Sequence, residues 1–314
     1  MGYDFRDAVF ESVRDVARRD RNAIVLTNDM GAMGLDQIRA ELPTQVVNVG
    51  IAEQNMMSVA GGLASAGKSV FVYGICAHIT ARCFEQIKID ICVPDLPVVL
   101  LGVGAGLSYG VDGPTHHGVE DIAILRTLAN LTIYNPADVT TAGAAVALSH
   151  GSRRPSYVRM DKEQLDELYD RKSTDFRSGM GVVAEGRDAA IVATGVHVWA
   201  ARAAAHALAK DGISVRVIDL YRLKPVDTDA LAKLLADVRA VLTVEENVAT
   251  GGVGTIVAET LGDHGLRPRL RRMSLGDRFL LGSASREWAA EKFGLSQPGI
   301  EAAVRKLFET SRSS

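Results

Sequence analysis

The sequence is poor in cysteine, has no long apolar run and carries little net charge, and each lack excludes a class of protein. Its three cysteines, Cys76, Cys83 and Cys92, share one segment, match no zinc-ligand spacing and are odd in number, which makes a poor disulfide framework. They read as buried thiols in a reducing cytoplasm. No stretch is apolar for long enough to cross a bilayer, and the opening segment MGYDFRDAVFESVRDVARRD has no apolar signal core. The formal charge of −3 leaves no cationic face for a phosphate backbone, so neither a nucleic-acid partner nor a membrane is expected. The Arg-rich stretches at 14–21 and 267–272 are short and read as solvated faces. No P-loop, nucleophile elbow or metalloprotease motif occurs, and no metal-ligand set is expected on this chain.

What remains is a chain of 314 residues, 47% hydrophobic and 23% charged, long enough for two domains. Short Val/Ile/Leu runs (AIVLT, SVFVYG, LPVVLLGV, LTIYN and PSYVRM) alternate with helical patterns at Asp7–Arg18, NMMSVAGGLASAG, Cys83–Val93, GVEDIAILRTL and DVTTAGAAVALSH. A polar stretch follows, and the alternation restarts. AAIVATG, SVRVIDL, RAVLTVEEN and LRRMSL read as strands. VWAARAAAHALAK, DTDALAKLLADV, GGVGTIVAETLGDHG and GIEAAVRKLFE read as helices, the second capped by Asp227 or Thr228. Strands that do not alternate are buried on both faces, so the fold class is α/β, with two consecutive domains built on parallel sheets. The expected boundaries are 1–162 and 188–314, with a linker over 163–187.

Two glycine-rich loops invite a ligand reading. GVGAGLSYG follows a strand, but it lacks Gly-x-Gly-x-x-Gly spacing and opens no helix, which weakens a dinucleotide site. TGGVG at 250–254 opens a helix and could hold an anion; a plain turn is the simpler reading. Two further segments stand out. VGIAEQNMMSVAGGLASAG puts Glu53 in the first turn of a helix of small and apolar residues, where it is either a helix-start partner or a buried reactive carboxylate. YGVDGPTHHGVEDIAIL puts Asp112 in a turn and His116 and His117 just before a helix.

Taken together, GIAEQNMMSVAGGLASAG, RCFEQIKIDI and VDGPTHHGVEDIAILRTLANLTIYNPAD resemble the pyrimidine-binding domain of transketolases, which 1-deoxyxylulose-5-phosphate synthases share. ATGVHVWAARAAAHAL, VIDLYRLKPVD and VEENVATGGVG resemble the transketolase C-terminal domain. The Gly-Asp-Gly and downstream Asn that mark the diphosphate-binding domain do not occur. The likeness is therefore to the C-terminal subunit of a split transketolase. It implies thiamine diphosphate as cofactor, with the diphosphate and Mg²⁺ or another divalent ion held by a separate transketolase subunit that carries the diphosphate-binding domain. An α2β2 assembly is the expected form.

The resemblance implies roles residue by residue. Glu53 matches the carboxyl group that hydrogen-bonds the cofactor's aminopyrimidine ring, and a dry pocket should leave it a proton to share. Asp29 in TNDMG and Arg82 in RCFEQ fall on the cofactor side. Asp112 matches a reader of a substrate hydroxyl and His116 a partner of the donor's oxygens. Arg6, Arg159 and Lys162 fall at or beside phosphate-holding positions. Four positions depart from the pattern. Ile75 and His78 stand where aromatic rings would stack on the aminopyrimidine. Gly104 replaces a phosphate-binding His, and Lys162 replaces an Arg, a point charge for a fork. The departures point to an unusual ketose donor for two-carbon transfer to an aldose phosphate. Two other readings stay open: the β subunit of a 2-oxoacid dehydrogenase, and a subunit kept only for assembly.

Overall fold

The computed structural model describes residues 5–163, 165–281 and 285–309. The first half contains α1 (Phe5–Arg19), β1 (Ala23–Thr27), α2 (Met33–Glu41), β2 (Val46–Asn48), α3 (Glu53–Ser65), β3 (Ser69–Ile75) and α4 (Cys76–Thr80). It continues through α5 (Phe84–Gln86), β4 (Val98–Val103), α6 (Asp121–Leu125), β5 (Thr132–Tyr134), α7 (Val139–Ser152) and β6 (Ser156–Met160). The second half contains β7 (Gly181–Ala184), β8 (Ala189–Ala193), α8 (His197–Lys210), β9 (Val215–Asp219), β10 (Arg222–Lys224) and α9 (Thr228–Leu235). β11 (Ala240–Val244), α10 (Val253–Asp263), β12 (Arg269–Met273), α11 (Arg286–Phe293) and α12 (Gln297–Glu309) complete it.

The strands form two sheets, a seven-stranded one in the order β10-β5-β6-β4-β3-β1-β2 and a five-stranded one in the order β12-β11-β8-β9-β7. Pairing is parallel except for β10 against β5 and β7 against β9. The central strands β1, β4, β6, β8 and β11 are buried along their whole length, as their unbroken apolar runs require. α3 buries Met56, Met57, Ala60, Gly61 and Ala64 against the first sheet. In that sheet β6, β4, β3 and β1 are consecutive neighbours. Their carboxyl ends open on one edge, where parallel α/β sheets place ligands.

Two segments differ from the expectation. Within Cys83–Val93 only α5 is α-helical; Ile87–Cys92 is a π-helical turn in which the Val93 N–H reaches Lys88 O. Ser58 of α3 donates to Asp90 of that turn at 2.6 Å. The GVEDIAILRTL helix shrinks to the five residues of α6. Arg126, which follows it, turns its guanidinium to Gly251 O at 2.8 Å and Glu259 at 2.6 Å.

Residues 163–187, read as a linker, are partly ordered against both halves. They contain β7, and Asp138 accepts the Leu168 and Tyr169 N–H groups at 2.7 and 3.2 Å. β10 then crosses back to pair with β5, so each half contributes to the other's surroundings. Asp227 is the cap of α9, accepting from Ala230 N at 2.9 Å. Among the described residues no helix is long and apolar enough to cross a membrane.

Candidate active site

The edge formed by the ends of β1, β3, β4 and β6 gathers most of the singled-out residues. Asn28 and Asp29 follow β1, Ile75 ends β3, and His78 and Arg82 lie in and just after α4. Gly104 follows β4 and leads to the loop with Tyr109, Asp112 and His116, while Lys162 follows β6. Glu53 begins α3, and Arg6 lies in the first turn of α1.

Glu53 is 4% exposed. Its Oε1 accepts from Asn28 Nδ2 at 3.0 Å and its Oε2 from Arg82 Nη1 at 2.8 Å. Burial pulls its pKa up, but its own backbone N–H, Arg82 and Asn28 together pull harder, and the carboxyl group sits below its ordinary value. This corrects the expectation of a proton-retaining Glu53: with Arg82 docked, the group is an anion. A carboxylate has about four acceptor sites, so these two side-chain bonds leave capacity for a ligand donor.

A row of rings runs from Glu53 to Lys162. His78 Nδ1 lies 3.9 Å from Glu53 Oε1, and its Nε2 lies 3.2 Å from Thr115 O. The His78 and His116 rings meet edge to face with centroids 5.1 Å apart, and His116 meets Tyr109 likewise at 5.8 Å. Lys162 Nζ lies 4.0 Å from the centroid of the Tyr109 ring. Burial, then Arg82 and His116, depress the His78 pKa, so its ring is neutral at pH 7. Burial raises the Tyr109 phenol, while Arg6 lowers it and Asp112 raises it; both charges therefore reach that ring.

Gly104 explains how Tyr109 fits. At φ +93° it adopts a conformation that favours glycine, and a Cβ there would lie 2.3 Å from Tyr109 Cδ2. The space that a side chain at 104 would use is filled by the tyrosine ring. Asp112 is exposed at the end of a 3₁₀ turn. Asp29 is exposed with φ +66°, and its backbone N–H and carboxylate are both held by Asn48, at 3.0 and 2.9 Å. Ile75 is half-buried at the strand end.

Arg159 leaves the substrate set. It is 3% exposed, and its guanidinium bonds Asp121 at 2.7 Å, Asn135 at 3.4 Å and Gly118 O. Tyr157 donates to the same Asp121 at 2.6 Å. Buried beneath the His116 loop and bonded within the protein on all three nitrogens, the guanidinium is turned inward rather than toward a substrate. The TGGVG turn likewise has its anion from within: Glu245 accepts the Val253 and Gly254 N–H groups at 2.8 and 2.7 Å. Asn28 and Tyr109 were not singled out in the sequence. Asn28 lies inside TNDMG, and Tyr109 opens the YGVDGPTHHG segment, but neither spacing shows what it will face.

Comparison with known proteins identifies the family. Residues 1–167 match the family described as transketolase, pyrimidine binding domain, and residues 179–300 the transketolase C-terminal domain. The chain is 35% identical to an apulose-4-phosphate transketolase subunit of Phocaeicola vulgatus, over 94% of each chain. It is 31% identical to a 6-deoxy-6-sulfo-D-fructose transketolase subunit of a Clostridium species, over 97% of this chain and 94% of that one. Among solved structures it resembles a split-gene transketolase described as an inactive beta4 tetramer, with a TM-score of 0.87, 30% identity and 98% of both chains covered.

Proposed function

The chain belongs to the transketolase family, and from that premise we propose that it supplies the aminopyrimidine side of a thiamine diphosphate site, together with much of the sugar site, in a two-subunit transketolase. The observation that carries this reading is the row Glu53–His78–His116–Tyr109–Lys162, with a buried carboxylate at one end and a cation at the other.

The residues suit the cofactor. Glu53 is buried, anchored on both oxygens and still able to accept, as a partner for a ring nitrogen must be. Ile75 and His78 offer an apolar edge and a neutral ring for packing. Thiamine diphosphate, when bound, supplies the electron sink that lets a ketose carbon–carbon bond break. Glu53 orients the ring and shifts its protonation toward the reactive form, with Arg82 and Asn28 setting the carboxylate's charge and direction. Asp29 borders this pocket. His116 hydrogen-bonds the donor's oxygens and Asp112 a hydroxyl. Arg6 and Lys162 attract a terminal anion.

The diphosphate and Mg²⁺ fall to the partner with the diphosphate-binding domain, in an α2β2 complex. Ile51, two residues before Glu53 and 78% exposed, supports a face that a partner covers. The three buried free thiols suit a reducing cytoplasm. The two subunit-type relatives are named for sugars that end in a phosphate or a sulfo group. With Tyr109 filling the space beside Gly104, an unusual ketose with a terminal anion is the donor we assign.

The test is ketol transfer by the chain combined with a diphosphate-binding subunit. Glu53→Gln should abolish turnover and leave assembly intact. Full turnover in that variant would make this an assembly subunit. Pyruvate oxidation with a dye acceptor, outpacing ketol transfer, would make it a 2-oxoacid dehydrogenase subunit instead.

A further inference from the structure

One largely buried cation between the two halves, Arg286, belongs to neither end of the row. Arg286 opens α11 in the second half of the chain, and its side chain is 11% exposed. It grips Asp161 with two bonds, Nη1 to Oδ1 at 2.9 Å and Nη2 to Oδ2 at 2.7 Å. Nη1 also reaches Glu163 at 2.6 Å and Nη2 reaches Ala105 O at 3.1 Å. Nε bonds both oxygens of Glu246 at 3.0 Å, and Nη2 adds a third bond to it at 2.6 Å. Glu246 in turn accepts the Leu107 N–H at 2.9 Å. Gly106 permits this approach: at φ +57°, a Cβ there would lie 2.1 Å from Glu246 Oε2.

These contacts fall on two loops, 104–108 after β4 and 161–163 after β6. The first leads directly into Tyr109, and the second carries Lys162, whose backbone N–H is held by Asp161 Oδ1 at 2.7 Å. We infer that Arg286 is a positioning residue for the far end of the substrate, holding from the C-terminal half the two loops whose meeting stacks Lys162 on Tyr109. The inference rests on the ketose reading of the site and adds a role for the second domain in substrate selection.

The charge arrangement says why the effect is specific. Arg286 faces three carboxylates: Asp161, Glu163 and Glu246. Without it, Asp161 would be an unpaired buried anion next in sequence to Lys162. A cation–π contact is weak against such a pull. Lys162 would turn from Tyr109 toward Asp161 and be lost to the substrate's anion. Glu53 and its partners make no contact with Arg286 in the described structure, so the chemistry would continue.

The experiment compares one donor with and without its terminal anion, apulose 4-phosphate against apulose, in the two-subunit enzyme. Arg286→Met should cut the kcat/KM ratio of the two donors by about tenfold, through the KM of the phosphorylated one. Arg286→Lys keeps the charge but loses the fork, and should give an intermediate ratio; it also serves if Arg286→Met does not fold. Adding Asp161→Asn to Arg286→Met removes the anion that lures Lys162 and should restore the ratio. An equal loss for both donors, or further loss in the double variant, would overturn the inference and leave Arg286 a structural clamp. Absence of ketol transfer by the unmutated enzyme would instead overturn the functional reading, and this inference with it.

Discussion

Glu53 and Glu246 are both buried glutamates facing an arginine, and in the proposed function they do opposite things. Glu53 meets Arg82, which is 50% exposed, whereas Glu246 meets Arg286, which is 11% exposed. Glu53 accepts one bond on each oxygen from side chains. Glu246 accepts three from Arg286 and one from Leu107 N, with His197 3.7 Å away. Both carboxyl groups sit below their ordinary pKa, Glu246 much further, because burial is opposed in one case by an open pair and in the other by a sealed one. Burial and an arginine are therefore no signature of catalysis. Unused acceptor capacity beside an opening is the feature that separates a working carboxylate from a clamp.

That comparison can be broken most sharply at Glu53. Glu53→Gln should lower kcat in the two-subunit enzyme by about a thousandfold or more, roughly 4 kcal/mol of transition-state stabilisation, with unfolding unchanged. Glu246→Ala should do the reverse. It leaves Arg286 short of a partner and should destabilise the chain by about 3 kcal/mol in denaturant unfolding, while kcat for an uncharged donor holds.

A subtler probe is Arg82→Met. It removes a group that lowers the Glu53 pKa, so the acid limb of the rate profile should move to higher pH. In the unmutated chain, the stability from the lowered Glu53 pKa is present above the unfolded pKa and lost as pH falls through the folded one. An unmoved acid limb would show that Arg82 does not set the charge on Glu53.

The smallest effect belongs to Asp219, a buried carboxyl with a tyrosine and no arginine for a partner. Burial raises its pKa well above the ordinary value, and Tyr169 donates to it at 2.9 Å. A raised folded pKa means that its contribution is full below the unfolded value and lost as pH rises. Asp219→Asn should therefore change stability by less than about 1 kcal/mol at pH 4 and become relatively more stabilising as pH increases. A constant difference across that range would show that Asp219 is ionised after all.

Much of the fold was legible because its strands are apolar on both faces. AIVLT, LPVVLLGV and RAVLTVEEN cannot be half-exposed, and β1, β4 and β11 lie where those runs do. β7 and β10 were not legible. They are three or four residues long, lie at sheet edges and are only partly buried, so no local pattern demands them. The π-helical turn at Ile87–Cys92 escaped for a related reason, since its apolar spacing also fits an α-helix. In the site, Glu53, Asp112 and His116 stood out by their motifs, whereas Arg159 was misplaced because spacing does not reveal that Asp121 consumes it.

By itself, the sequence determined the α/β class, the family and the segments to which the chemistry is assigned, because apolar periodicity and short motifs are local properties. The tertiary structure alone decided which charges are free to act. It tied Arg159 to Asp121, 38 residues away in sequence, gave Glu246 the sealed partner Arg286, and drew His78, His116, Tyr109 and Lys162 into one row from Glu53. The physical reason is that ionic and hydrogen-bonding capacity is used up by neighbours in space, and those neighbours come from the ends of strands far apart in the chain.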